Sequence, residues 1–424
     1  MKRKKVPLSA QVVIAVVLGT ILGALLGKQP VAFGVGTEQL GELGLLVIRL
    51  LKALAVPLVL FAVLDGLLTT NLSGKSGLKL LRICATNAAV ALAIGLTLMN
   101  TLRPGDASKD ALAAVMSGGG QPTVKVLPAD TLSPLVAVKS YVPESLVAPF
   151  AENSVIPVVL LALLAGAAMR RFQHTPGQAT VTSFVRGMLQ ILTQMLTWVV
   201  YTVPWAVFCI VAQVVGRAGV AVFGALLPFI LVVLAGFTLH AFGYYLLVGW
   251  LVGRKRPGEF LRGGGAAILT GMGANSSLAA MPVTLRCLAE RLNVSAASAR
   301  LSACIGTNLN NDGITLYEAM AALFIAQALG MDLTLGQQAS VVAAAIFAGV
   351  GIAGIPEAGL VMLPLVLGAA GLTPEVAAIA VSFLVPADWI LARCRSAMNV
   401  MSDLLVAVLL DAGEPQPKKA PLTD

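Results

Sequence analysis

From Val220 to Val252 the chain carries no Asp, Glu, Lys or Arg. Such a stretch is longer than the roughly 20 apolar residues that cross the hydrocarbon of a bilayer. Further apolar runs fall at roughly 8–27, 43–69, 78–101, 150–170 and 182–216. Of the 424 residues, 58% are hydrophobic and 12% charged, against about 25% charged in an ordinary soluble domain. Mean hydropathy is +0.89. Lipid offers no partner for free backbone groups, so runs of this length fold as helices. The sequence therefore predicts an all-α polytopic membrane protein.

Basic residues mark the ends of these runs: Lys2, Arg3, Lys4 and Lys5, then Lys75, Lys79 and Arg82, then Arg170 and Arg171, then Arg254, Lys255 and Arg256. They fall at alternate loops, as cytoplasmic flanks do. This places both termini inside, with Lys418 and Lys419 in a polar cytoplasmic tail, and segments 28–40 and 217–219 outside. The net charge of +9 thus reads as topology and gives no support for nucleic-acid binding. Residues 102–132, rich in Gly, Pro and polar residues, read as an exposed external loop. Pro57 and Pro204 lie inside long runs and are expected to kink them. The five cysteines (84, 209, 287, 304 and 394) have neither disulfide nor zinc spacing. The basic N-terminus lacks a small-residue cleavage site and reads as the flank of the first span. The glycosylation sequon at Asn71, Leu72 and Ser73 falls on the cytoplasmic side and reads as chance.

The organisation changes after residue 257. Residues 263–292 hold apolar pieces too short to span, interrupted by Ala274, Asn275, Ser276 and Ser277. Residues 334–370 repeat the pattern, interrupted by GIAGIPEAG at 351–359. A full-length polar-bearing helix follows each, at roughly 296–329 and 373–411. The first broken hairpin starts from inside and the second from outside. Two such halves of opposite topology point to a binding site between them, because backbone that breaks at membrane depth must line a cavity or be buried in protein.

Two stretches carry the candidate chemistry. In DWILARCRSAMNVMSD, residues 388–403, the spacing places Asp388, Ala392, Arg395, Asn399 and Asp403 on one helix face. Charges at a span centre cost about 2.5–3.5 kcal/mol on insertion scales, so these pair or bind something. Arg395 can fork onto a carboxylate, which is either a ligand's or that of Asp388 or Asp403. Asp388 itself reads equally well as an interfacial or helix-start charge. Asn399 and Asp403 offer hard oxygens suited to a small cation. In GTNLNNDGITLYEA, residues 306–319, the concentration of Gly306, Asn308, Asn310, Asn311, Asp312 and Gly313 predicts a locally unwound, cation-coordinating segment, with Glu318 a candidate proton carrier. Glu357 at the second hairpin tip reads as exposed. His174 and His240 are isolated and receive no role.

At these residues the sequence resembles the dicarboxylate/amino acid:cation symporters, the glutamate-transporter family, over nearly the whole chain. RLLKALAVPLVL (49–60) resembles its second span, NSSLAAMPVTLRC (275–287) its serine-rich first hairpin, NNDGITLYEA (310–319) its NMDGT helix, GIAGIPEAG its second hairpin and DWILARCRSAMNVMSD its last helix. The resemblance implies an elevator fold of about eight spans plus two re-entrant hairpins. It implies a homotrimer in the plasma (bacterial inner) membrane, in contact with lipid. It divides the chain into scaffold helices at 1–77, a third span of the mobile transport domain at 78–101, external loop and scaffold at 102–216, a sixth span at 217–256, a transport core at 257–411 and a tail at 412–424. Sodium would be the coupling ion, with no organic cofactor. One sodium site would use Gly306, Asn310, Asn399 and Asp403, with Asn308, Asn311 and Asp312 as further cation-ligand candidates. Arg395 would hold the substrate's distal carboxylate. Ser276, Ser277 and the hairpin backbone at Gly354, Ile355 and Pro356 would hold the other, with Ile314, Ala392, Ser396 and Asn399 lining the same site. Glu318 matches a glutamate linked to proton movement.

The departures are informative. Ala392 stands where amino-acid-carrying members have an aspartate for the ammonium. Ile314 replaces a threonine, and Asn311 a methionine near a second sodium. Cys84, Asn87 and Ala88 replace tyrosine, threonine and serine around a third. The expectation is a sodium-coupled symporter, with protons as an additional coupling ion through Glu318, for an anionic carboxylate that lacks an amino group: a C4-dicarboxylate. The alternative is an acidic or neutral amino acid carrier. An anion-conducting pore is the competing class. A membrane enzyme finds no support in the sequence, which has no nucleophile elbow, paired acid–base motif or metal cluster.

Overall fold

The computed structural model describes residues 8–27, 36–69, 75–116, 142–152, 155–171, 175–351 and 358–412. Among them helix is the only regular secondary structure. The apolar runs become α1 (Leu8–Leu26), α2 (Thr37–Thr69), α3 (Lys75–Leu102), α5 (Val155–Arg171), α6 (Pro176–Ala218) and α7 (Ala221–Leu251), with a short α4 (Lys109–Met116) between α3 and α5. The first broken segment is α8 (Pro257–Ala274) turning back into α9 (Ser277–Arg286). Next come α10 (Ala296–Arg300), prolonged through a π-turn to Leu309, and α11 (Asp312–Ala328). The second broken segment is α12 (Leu335–Gly351) and α13 (Ala358–Ala369), and α14 (Pro374–Asp411) closes the fold. Helices α2 and α6 continue through Pro57 and Pro204.

Four helices among the described residues are long and apolar enough to cross a membrane: Ser76–Leu102, Gly177–Ala218, Ala221–Leu251 and Pro374–Asp411. At 1.5 Å per residue the 43 residues of α6 reach roughly 65 Å, about twice the hydrocarbon thickness. One face of α1 leaves Val13, Ile14, Val17, Leu18, Ile21 and Leu25 exposed, and α6 exposes Phe184, Ile191, Met195, Trp198, Tyr201 and Trp205. Apolar surface on that scale belongs against lipid or another chain and not against water.

Helices α1 and α2 both pack on α6, and α2 also on α5. The contact with α1 is backbone to backbone. Gly19 and Gly23 sit one turn apart, and a Cβ on them would stand 2.6 Å from the Phe208 carbonyl oxygen and 2.5 Å from that of Ala212. Gly44 of α2 meets the same helix, where a Cβ would lie 2.7 Å from Ile210 Cγ1. Small residues at four-residue spacing are how helices approach closely when lipid removes the hydrophobic drive.

Around α11 the packing is different. Every residue from Asp312 to Ala328 is buried, with α3, α12, α13 and α14 against it. The polar helices read from sequence are therefore the two most enclosed ones, and 72% of the apolar window of α14 is buried. Lys79 of α3 fastens the end of α14, donating at 2.8 Å to the carbonyls of Leu410 and Ala412, where a cation also meets the negative end of the helix dipole.

One expectation needs correction. The start of the 102–132 segment is not loop: Pro104–Ser108 forms a 3-10 turn that leads into α4. Leu112, Val115 and Met116 repeat at helical spacing and are buried. Arg217 of α6, paired with Glu38, donates at 2.7 Å to the Val115 carbonyl. Residues 117–141, like Lys2–Lys5, the sequon at 71–73, His174 and the tail with Lys418 and Lys419, lie outside the described residues.

Gly23→Val is expected to push α1 off α6 and cost about 1–3 kcal/mol of stability, read as a lowered thermal midpoint of the detergent-purified chain. An unchanged midpoint would show that the close approach carries no energy.

Candidate functional site

Arg395 sits midway along α14, with its side chain 3% exposed. Asp388, two helical turns earlier on the same face, meets it in a fork: Nη1 donates at 2.6 Å to Oδ1 and Nη2 at 3.3 Å to Oδ2. The ring of Tyr317 lies beneath the guanidinium, its centroid 4.0 Å from Cζ. From α13, Gly359 presses so close that a Cβ there would lie 2.4 Å from Cζ. From α11, a Cβ on Gly313 would lie 2.5 Å from the Arg395 carbonyl oxygen. The charge is thus enclosed by α14, α11 and the second hairpin. Of the two sequence readings of Asp388, an interfacial charge is overturned: it is 1% exposed and neutralises Arg395.

The first hairpin reaches the next residue. Its tip is Asn275, in the left-handed region with φ 50°, followed by Ser276, whose hydroxyl caps α9 by accepting from the Ala279 N–H at 3.1 Å. Ser396 donates at 3.1 Å to Asn275 Oδ1, which pins the tip to α14 beside Arg395. The Ser277 hydroxyl is buried and has no hydrogen-bond partner. The N-terminus of α9 therefore presents backbone N–H groups and one uncommitted hydroxyl, a combination suited to a carboxylate. Ala392 and Ile314 are buried. Gly354, Ile355, Pro356 and Glu357 lie outside the described residues.

The predicted unwinding of 306–313 is present. Residues Leu301–Gly306 form a π-turn, and Asn310 and Asn311 leave the helix at φ −124°, ψ 59° and φ −97°, ψ 56°. Asn399 bridges this break from α14, accepting the Gly313 N–H at 2.9 Å on Oδ1. Asn311 Nδ2 donates at 2.7 Å to the Gly349 carbonyl of α12, so the break is fastened to the second hairpin. Asn308 lies in the short turn Thr307–Leu309.

On one side of the break lies Asp403. Thr307 Oγ1 donates to its Oδ2 and Ser302 Oγ to its backbone carbonyl, the latter at 2.6 Å, while Oδ1 is buried without a partner. An orphaned carboxylate oxygen beside unwound backbone fits a small hard cation. On the other side lies Asp312, in a hydrogen-bonded network described below. Asn310 joins that network through its side chain, and its N–H bonds the Gly306 carbonyl at 2.8 Å. Asp403 and Asp312 thus lie in two separate polar neighbourhoods on either side of the break. Glu318, one turn past Ile314, is fully buried with neither carboxyl oxygen hydrogen-bonded.

Sequence reasoning missed Tyr317, Thr307, Ser302, Ser402, Gly359 and His240. Ser402 and Tyr317 adjoin residues already singled out. His240 comes from a helix remote in sequence, and nothing local marks it.

Asp388→Asn leaves a buried guanidinium without its counter-charge and is expected to lower stability by about 3–5 kcal/mol, measured as thermal or denaturant unfolding in detergent.

The sodium:dicarboxylate symporter family matches residues 8–412. Excitatory amino acid transporter 3 of Oryctolagus cuniculus is 27% identical over 92% of this chain and 82% of its own length. An excitatory amino acid transporter of Caenorhabditis elegans is 29% identical over 86% and 79% respectively. Excitatory amino acid transporter 4 of Mus musculus reaches 37% identity over 52% of this chain and 38% of its own.

Proposed function

We propose, from the premise that this chain belongs to the sodium:dicarboxylate symporter family, that it is a secondary symporter coupling sodium to uptake of a C4-dicarboxylate without an amino group. The observation that carries the substrate class is the electrostatics around Arg395. One cation is offered to the ligand there, and the helix position that would face an ammonium is Ala392, buried and neutral. The nearest carboxylate, Asp388, is already spent on Arg395. A carboxylate of the substrate would share or displace Asp388 on the guanidinium fork, and the second would reach Ser277 and the N–H groups of α9. By the resemblance, the second-hairpin backbone at Gly354, Ile355 and Pro356 would supply the rest of the site.

Sodium travels as co-substrate. Gly306, Asn310, Asn399 and Asp403 would hold it, and the unpartnered Asp403 oxygen supports this assignment. Glu318 would carry a proton, since a buried carboxyl with no donor to stabilise a charge is suited to crossing in its protonated form. The transport core at 257–411, with the spans at 78–101 and 217–256, would move as an elevator against scaffold helices from 1–77 and 102–216. The chain would be a homotrimer of eight-span protomers in the plasma membrane, with both termini cytoplasmic. The family is one of transporters, and the reading involves no enzyme activity.

A second reading, an acidic or neutral amino acid substrate, draws on the relatives' names and on Glu318, whose unpaired oxygens could take an ammonium.

Proteoliposomes under an inward sodium gradient are expected to accumulate labelled succinate or malate in preference to aspartate, and preference for aspartate would overturn the substrate class. Ala392→Asp is expected to weaken dicarboxylate uptake by about tenfold or more, the effect of 1.4 kcal/mol, and to admit aspartate. Unchanged selectivity would place residue 392 away from the substrate. Glu318→Gln is expected to flatten the pH dependence of uptake, and a wild-type pH profile in that variant would remove its proton role.

A further inference from the structure

The buried polar cluster around Asp312 stands apart from the Asp403 side of the helix break. Asp312 Oδ2 accepts the Tyr245 hydroxyl at 2.9 Å and the Ser402 hydroxyl at 2.7 Å. Ser402 in turn accepts from Asn310 Nδ2. Asn310 Oδ1 accepts from Asn87 Nδ2 at 3.3 Å, and Asn87 Oδ1 accepts the Tyr244 hydroxyl at 2.9 Å. Hydrogens therefore run in one direction, from Tyr244 through Asn87, Asn310 and Ser402 to the Asp312 carboxylate. Each of these side-chain acceptor oxygens already has a donor upon it.

His240 lies beside the same carboxylate oxygen. A π-turn at Leu239–Tyr245 in α7 adds a residue to the helical turn, a device that re-aims side chains. It brings the imidazole, fully buried, to 3.5 Å from Asp312 Oδ2. The ring is stacked on Tyr244 with centroids 5.2 Å apart and set edge-on to Tyr245 at 4.5 Å. Neither ring nitrogen has a hydrogen-bond partner. Imidazole nitrogen is a ligand for transition metals and a poor one for a hard alkali cation, which needs several oxygen lone pairs turned upon it. Cys84, packed with Leu80 and Val406, contributes a thiol to this side of α3, where an oxygen would be needed.

We propose that Asp312 is not a cation ligand in this chain: Tyr245 and Ser402 both donate to its Oδ2, the His240 ring occupies the space beside that oxygen, and the coupling cation assigned to Asp403 binds without it. The proposal rests on the sodium-symport reading above. The Asp312 network then serves as a fixed joint between α3, α7, α11 and α14.

The test is thermal stabilisation of the purified full-length chain by sodium chloride against choline chloride. Asp312→Asn is expected to lower the midpoint yet leave the half-saturating sodium concentration within about twofold of wild type. Asp403→Asn is expected to raise it by about tenfold or more, the scale on which a metal site responds to its surroundings. A tenfold rise in Asp312→Asn would overturn the proposal. Anomalous scattering from crystals of the wild-type chain in thallium gives a second measurement that needs no variant. A peak at Asp403 and none at Asp312 supports the proposal, and a peak on the Asp312 carboxylate overturns it. Peaks at neither residue would uphold the closed Asp312 network while removing the Asp403 sodium site, so the two readings fail separately.

Discussion

An arginine and an aspartate that meet inside an apolar bundle set the terms for what surrounds them. Taking both charges out of water costs several kcal/mol per ion, and only good geometry returns it. The Arg395–Asp388 fork has that geometry, and the neighbours are shaped to keep it. Tyr317 offers a ring face to the guanidinium, which is worth more where water is excluded. Gly359 and Gly313 contribute absence: with any side chain at either, backbone or guanidinium would have to move. The pair is therefore a structural charge neutralisation, and under the proposed function a ligand carboxylate would enter a place already organised for one.

The same constraint explains why the polar residues gather on α10, α11 and α14. A buried carboxylate survives only with donors, a counter-charge or a cation, and the chain uses different answers for each. Asp388 has Arg395. Asp312 has two hydroxyls on one oxygen. Asp403 has one hydroxyl and an unused oxygen. Glu318 has no donor on either carboxyl oxygen. Graded from fully to least satisfied, they run from parts that hold the fold to parts left open for chemistry.

Much of this was legible in the sequence because lipid makes backbone arithmetic strict. Runs of about 20 apolar residues must be helices, so α1, α3 and α7 fall within a few residues of their expected ends, and the first interruption is a hairpin tip at Asn275. The shared face of Asp388, Arg395, Asn399 and Asp403 followed from helical periodicity. What periodicity cannot supply is a partner from a distant helix. It left open whether Arg395 pairs with Asp388 or Asp403, and it gave His240 no role, since Asp312 lies 72 residues further on and meets it only through tertiary packing. The glycine seam of α1 on α6 was equally hidden, because a small residue announces its purpose only once the facing helix is known.

The hydrogen bond from Asn311 to the Gly349 carbonyl has a mechanical meaning. It joins a point where the helix has no ladder of its own to the last turn of α12, two residues before that helix ends at Gly351. A regular helix absorbs a push at one residue across many bonds; a break passes it on through few. Any change of backbone shape at Asn310 and Asn311 is thus delivered through this bond to the last turn of α12, making the gap in the helix a lever arm that bears on that helix.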